Sequence, residues 1–280
     1  MNVKIIIDST TDTTPAVHKH CAVVPLTVNF GDTEYIDGVT INHSQFYEKL
    51  VESDTLPTTS QPTPDAFGQE FRKVADAGQK AVVLTISSKL SGTYQSATIA
   101  AMDFPGIIYV VDSQTATIGA GILAELAVEL AESGMEPEAI VRRLNEEREN
   151  VCMIAMLDTL EYLKKGGRIS KTVAFAGELL SIKPVVCIQD GEIRILGKAR
   201  GSRQANNLLV KEIEKAGGVD FGKPVLLGYT GLSDILLEKY IADSAELWKE
   251  SESELHATPI GSVIGTHAGP GAVVVAFFKN

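Results

Sequence analysis

The sequence predicts an α/β protein of two domains: an N-terminal domain on a parallel sheet, and a C-terminal α+β domain with a partly antiparallel sheet. Three observations point there. Short β-branched runs alternate with amphipathic stretches through the first 150 residues, the rhythm of a parallel sheet covered by helices on both faces. Beyond residue 150 the rhythm changes, and two apolar runs flank Asp190-Gly191, a dipeptide suited to a tight hairpin turn. The composition, 44% hydrophobic and 22% charged over 280 residues, is that of a globular chain with room for two domains.

The elements follow in order. Runs 3–7, 23–28, 81–86 and 107–111 are short, largely apolar and rich in β-branched residues, as strands buried on both faces are. Helical patterns occupy 43–53, 64–78, 92–102, 115–133 and 137–149. In a Rossmann-like sheet of this kind, ligands sit beyond the carboxyl ends of the strands. In the second half, 151–157 reads as a strand. A Lys164-Lys165-Gly166-Gly167-Arg168 turn follows, then a helical stretch to about 181. Runs 185–189 and 193–197 form the hairpin. A strand at 225–228 separates helical stretches at 202–216 and 231–248, and 272–278 is the last strand. With no repeat or long linker to mark a boundary, the change of rhythm divides the chain into domains 1–150 and 151–280, with a ligand expected between them.

Charge and cysteine usage narrow the function classes. A net charge of −11 repels phosphates, so no nucleic-acid partner is expected. Residues 1–8 have one lysine and a short apolar run that stops at an acid, which predicts no signal peptide. The apolar run at 272–278 is too short to cross a membrane. Cys21, Cys152 and Cys187 have no metal-ligand or redox spacing, and so sparse a count suits a reducing cytoplasm. Cys152 and Cys187 lie in strand-like runs and are expected in the core. Residues 119–124 match a dinucleotide-binding pattern, but inside a helix rather than at the strand-to-helix turn that the pattern requires. Their small side chains read as close packing, and no cofactor or metal is expected.

Polar groups gather just past strand ends. Asp8-Ser9-Thr10-Thr11-Asp12 follows the first strand, and Asp112-Ser113 the fourth. Residues 87–96, which include Ser91-Gly92-Thr93, follow the third. Thr58-Thr59-Ser60-Gln61 precedes a helix. Each alone reads as a helix cap. Together along one sheet edge they suggest an anion site at helix N-termini. Near the end, His267 sits among Gly265, Gly269, Pro270 and Gly271, in what reads as a loop built to hold it. Between residues 164 and 203 nine basic and three acidic residues give +6, leaving −17 for the remainder. That contrast suggests a docking surface for an acidic partner or a phosphate. Two glycines precede Arg168 and one follows Arg200, which predicts turns that project both side chains outward.

Taken in order, these motifs resemble the DegV family from end to end. They are Asp8-Ser9-Thr10, Thr59-Ser60-Gln61-Pro62, Ser91-Gly92-Thr93-Tyr94-Gln95-Ser96-Ala97 and Asp112-Ser113. Residues 159–169, Ile182-Lys183-Pro184, Asp190-Gly191, Lys198-Ala199-Arg200 and His267-Ala268-Gly269-Pro270-Gly271 complete the set. The resemblance implies two α/β domains with one long-chain fatty acid buried between them. It implies a non-enzymatic, acyl-binding subunit of a bacterial fatty acid kinase. A separate kinase subunit would phosphorylate the carboxylate, and the acyl phosphate would feed phospholipid synthesis, with transient membrane contact. It assigns the carboxylate to Thr59, Ser60, Ser91, Gly92 and His267. The implied kinase makes Arg168 and Arg200 candidates for partner docking or phosphoryl contact. Phe175, Leu179 and Leu180 are candidate tail-lining residues. Two other readings use the same groups: a phospho-ligand or small-anion module, and a serine hydrolase with Ser91, His267 and Asp8.

Overall fold

The computed structural model describes residues 3–169, 182–249, 251 and 255–280. The chain opens with β1 (Val3–Asp8), α1 (Pro15–His18), β2 (Cys21–Val24), β3 (Thr27–Phe30) and β4 (Thr33–Ile36). Next come α2 (His43–Glu52), β5 (Thr58–Ser60), α3 (Pro64–Asp76), β6 (Lys80–Thr85), α4 (Thr93–Ala101) and β7 (Ile108–Asp112). Helices α5 (Thr117–Glu132) and α6 (Pro137–Glu147) end the first half. The second half holds β8 (Val151–Met156), α7 (Glu161–Lys165), β9 (Ile182–Gln189), β10 (Glu192–Arg200) and α8 (Ser202–Lys215). It closes with β11 (Leu226–Tyr229), α9 (Ile235–Asp243), β12 (His256–Pro259), α10 (Ser262–Ala268) and β13 (Val273–Phe278).

Four strands form a parallel sheet in the order β2-β1-β6-β7. Ile5, Ile6 and Ile7 are all fully buried because both faces are covered. Ile6 and Val83 point to Phe67, Phe71 and Ala97 of α3 and α4. Ile5, Ile7 and Leu84 point the other way, onto α5. A second sheet, β10-β9-β8-β13-β11-β12, is antiparallel except between β11 and β12. Its inner face meets α5 through Met153, Ala155 and Val274. Its outer face packs on α8 and α9 through Ile154, Val275, Leu209 and Leu237. Helix α5 thus lies between two sheets, which is why it is apolar nearly all round. Gly121 lets it seat directly on the chain, since a Cβ there would stand 2.1 Å from the Asp12 carbonyl oxygen. A small sheet, β4-β3-β5, packs with α2 and α10 around Val28, Phe46 and Val263.

The mixed α/β architecture agrees with the sequence reading, and the differences have local causes. The expected strand 23–28 is two strands in two sheets. Pro25 has no N–H to give to a ladder, and the chain changes sheets there. At the hairpin, Asp190 and Gly191 have φ of 52° and 78°, as a type I′ turn requires. Cys152 and Cys187 are only half-buried, not core residues. The expected helix at 231–248 is helical over Ile235–Asp243. The expected helix up to 181 lies outside the described residues, as do Phe175, Leu179 and Leu180. Strands of the parallel sheet all precede residue 113, and those of the six-stranded sheet all follow residue 150. On that segregation we propose the domains 1–150 and 151–280.

Candidate functional site

A cleft lies where the chain leaves β1 and β6 and meets the inner face of the six-stranded sheet. About 90 Å³ of it is cavity open to a water-sized molecule, and about 800 Å³ of non-atom space is reached when its mouth and the adjoining solvent are counted. Of the 23 described residues that line it, 17 are apolar. Met153, Ala155, Val186 and Ile188 supply one wall from β8 and β9. Val263, Ile264 and Ala268 of α10 supply another. The lining contains no aspartate or glutamate among the described residues, and Arg168 is its one charged group.

Four polar side chains of the lining cluster through a chain of contacts. Thr59 Oγ1 and His267 Nε2 are hydrogen-bonded at 2.9 Å. The other face of His267 packs on Gly166, where a Cβ would stand 2.2 Å from Nδ1. Arg168 Nη1 donates to the Gly166 carbonyl at 2.7 Å, and its Nε donates to the Leu90 carbonyl at 3.1 Å. Ser91 follows directly. Its Oγ accepts from the Thr93 N–H at 3.3 Å and shares a 2.9 Å hydrogen bond with Thr93 Oγ1.

Local structure explains each position. Alternation along β5 turns Thr59 into the cleft and Ser60 outward. Ser60 is exposed and accepts from Asn29 Nδ2 at 3.4 Å, so the structure separates it from the cluster. Gly92 does not line the cleft either. A Cβ there would stand 2.1 Å from Gln61 Oε1. Its bare Cα lets Gln61 cross the start of α4 and donate to Ser96 Oγ at 3.1 Å. His267 is not in a loop, as its glycine-rich surroundings suggested, but in the last turn of α10. Gly269 ends that helix at φ +71°, with Tyr162 so close that a Cβ would stand 2.3 Å from its ring. Both the backbone angle and the space demand glycine.

Burial, helped by the nearby Arg168 charge, pushes the His267 pKa down to about 4. The ring is therefore neutral at pH 7. Its Nδ1 is buried without a partner, and a bare lone pair there costs less than an orphaned N–H. That places the ring proton on Nε2, donating to Thr59 Oγ1. The Thr59 hydroxyl proton is then free to donate into the cleft. The Ser91 hydroxyl proton is likewise available to the cleft when Thr93 Oγ1 is the donor of the hydrogen bond they share. Two aimed hydroxyls and one guanidinium make this end a receptor for an anion.

Other sequence candidates lie elsewhere. Asp8 is fully buried and accepts the Ile86 N–H at 2.8 Å and the Thr10 N–H at 2.9 Å. It braces two loops, while His267 pairs with Thr59 and Ser91 with Thr93, so no Ser–His–Asp relay is assembled. Arg168 does not project outward from its turn. Two carbonyls draw its guanidinium into the wall of the cleft. Arg200 is exposed at the end of β10, and its N–H donates to Gln204 Oε1 at 3.2 Å. The structure does not bring it to the cleft. The apolar wall of β8 and β9 was missed by sequence reasoning. Its residues carry an ordinary strand pattern, and only the empty space beside them distinguishes them from core.

Known proteins share this architecture. A family model described as "Uncharacterised protein, DegV family" matches residues 2–280. The chain belongs to the DegV family. A DegV domain-containing protein of Caldanaerobacter subterraneus subsp. tengcongensis is 35% identical over 279 residues, 98% of either chain. A DegV family protein of Thermus thermophilus, described for its fatty acid binding, shares the fold with a TM-score of 0.87 at 32% identity. That match covers 99% of this chain and 100% of the other. The fatty acid kinase B3 protein of Streptococcus pneumoniae, loaded with linoleic acid, matches at a TM-score of 0.87 and 25% identity over 100% of both chains.

Proposed function

We propose that this DegV protein binds one long-chain fatty acid in the cleft and presents its carboxylate to a separate kinase subunit. The observation that carries the reading is the cleft's division of labour. A long apolar wall ends in two donor hydroxyls, a neutral imidazole and one guanidinium, with no acid among the described residues of the lining. A sixteen-carbon tail gains about 0.8 kcal/mol per buried CH₂, roughly 10 kcal/mol gross. Hydrogen bonds to a carboxylate add about 1.5–3 kcal/mol each, against the cost of desolvating it. The tail dominates affinity, and Thr59, Ser91, His267 and Arg168 fix the head. The fatty acids bound by similar solved structures support this reading.

The kinase step rests on likeness to the fatty acid kinase B3 protein. In the proposed step, a kinase subunit transfers the γ-phosphoryl group of its nucleoside triphosphate to the held carboxylate, releasing the diphosphate, and the acyl phosphate passes to phospholipid synthesis. Burial shields such an anhydride from water. Exposed Arg200 stays the candidate for contact with the kinase or its phosphoryl group. No described helix is long and apolar enough to cross a membrane, so we propose a cytoplasmic carrier with transient membrane contact. The 17 apolar residues among the described lining weigh against a phospho-ligand or small-anion module.

The test compares palmitate with its methyl ester on delipidated protein. The ester keeps the tail and loses the charge. Wild type should prefer the acid by about 10- to 100-fold, the worth of one charged hydrogen-bond set. Ser91→Ala and Thr59→Ala should each weaken the acid by roughly 1–3 kcal/mol and leave the ester unchanged. Equal binding of acid and ester by all three proteins rejects this head-group site.

A further inference from the structure

We infer that Asp12 is a positioning residue: its carboxyl ties the start of α10 to the start of α5, and so sets where His267 stands against Thr59. The proposed function assigns Asp12 no role, and the sequence shows it only as one member of a capping cluster.

The ties are explicit. Asp12 Oδ1 accepts the Gly261 N–H at 2.8 Å, and Oδ2 accepts the Thr117 hydroxyl at 2.7 Å. Gly261 is the N-cap of α10 and offers no side chain to cap it. A helix of seven residues is marginal alone, and its first N–H groups need acceptors. The N-terminal half supplies them from a distance. Asp37 faces the backbone N–H groups of Ser262 and Val263. Tyr47 Oη donates to the Ile260 carbonyl at 3.2 Å. Thr258 Oγ1 donates to the Thr13 carbonyl at 3.2 Å, securing β12 to the same loop.

The other end of the tie is strained. Thr117 has φ of +49°, a region that a β-branched residue rarely enters. Its hydrogen bond to Asp12 offsets that cost. Thr117 and His267 both line the cleft, on α5 and α10. One carboxyl therefore joins two walls of the site, and His267 is two helical turns from the joint. Asp37 and Asp8 add negative fields at Asp12, the Tyr47 phenol stays neutral because burial and Asp12 raise its pKa, and His18 and His43 line the adjoining polar cavity. Burial first, then these charges, raises the Asp12 pKa to about 7. A neutral carboxyl keeps an acceptor for Gly261 and can donate to Thr117. The tie thus survives protonation, and an amide can replace it.

The test reads His267 by NMR titration of its ring in wild type, Asp12→Ala and Asp12→Asn, all in one ligand state. Wild-type His267 should titrate at about 4. In Asp12→Ala the freed helix start lets α10 move and water reach the ring, so its pKa should rise by about one unit or more. Asp12→Asn should restore the wild-type value. A destabilised protein with its site intact would not move this titration. Folded Asp12→Ala with wild-type His267 overturns the proposal, as does Asp12→Asn behaving like alanine. If Asp12→Ala fails to fold, Thr117→Val serves instead. It removes the hydroxyl that Asp12 Oδ2 accepts from, cuts the α5 end of the same tie and should raise the His267 pKa in the same direction, and an unchanged titration there also overturns the proposal.

A second readout, faster palmitate release from Asp12→Ala by about tenfold, rests on the fatty-acid reading. A shifted His267 in proteins that bind no palmitate supports the tie and rejects that reading.

Discussion

Ala155→Phe should abolish palmitate binding while leaving a folded protein. Ala155 stands mid-strand in β8, opposite Val186 of β9 and Val274 of β13. It is 4% exposed and faces the cleft. A phenyl ring there occupies space meant for the tail. Excluding eight methylenes forfeits about 6 kcal/mol, more than a thousandfold in affinity. The cost to folding is smaller, about 1–3 kcal/mol for an overfilled site, because Ala155 borders the cleft as well as the core. Circular dichroism and thermal melting check the fold, and calorimetry checks binding. Wild-type affinity in the folded variant would place the tail elsewhere.

The second large effect separates two arginines that look alike in sequence. Arg168→Gln should weaken palmitate binding by about 10- to 100-fold, the scale of a charge-assisted hydrogen bond. Arg200→Glu should leave palmitate affinity unchanged and slow phosphorylation of the bound acid by a reconstituted kinase. The difference lies in where each side chain goes. The Leu90 and Gly166 carbonyls hold Arg168 over the head of the cleft, whereas Arg200 faces solvent at a strand end. Because Arg168 also helps keep His267 neutral, its loss should raise the His267 pKa, which an NMR titration would record. Unchanged palmitate affinity in Arg168→Gln would remove it from the head group.

The fold was legible where side chains alone dictate structure. Strands β1, β6 and β7 are mostly apolar, β-branched runs bounded by polar turns, and the Asp190-Gly191 turn can adopt few other shapes. Legibility failed where tertiary contacts decide. Strand β5 is three hydroxyl residues with no hydrophobic period, and it exists because β3 offers it a ladder. Helix α10 contains a glycine, precedes Gly269-Pro270-Gly271 and has no cap of its own. It is helical because Asp12, Asp37 and Tyr47 arrive from over 200 residues away in sequence to satisfy its start.

The candidate site divides the same way. Thr59, Ser91 and His267 were found because polar groups past strand ends, together with the family resemblance, mark a ligand site. Ser60 and Gly92 came with them as sequence neighbours, but strand alternation turns one away and the other makes room for Gln61. Arg168 was read as outward because the glycines before it signal a turn. A turn does not say which carbonyls wait beside it.

The most direct measurement is organic extraction of protein purified from a bacterial host, with mass spectrometry of the extract against protein concentration. A cleft that gains about 10 kcal/mol from a tail should not stay empty in a cell rich in acyl chains. The expected result is close to one long-chain fatty acid per protein chain, lost in Ala155→Phe prepared in parallel. A lipid-free extract from folded wild-type protein that also fails to bind added palmitate and oleate would contradict the central claim.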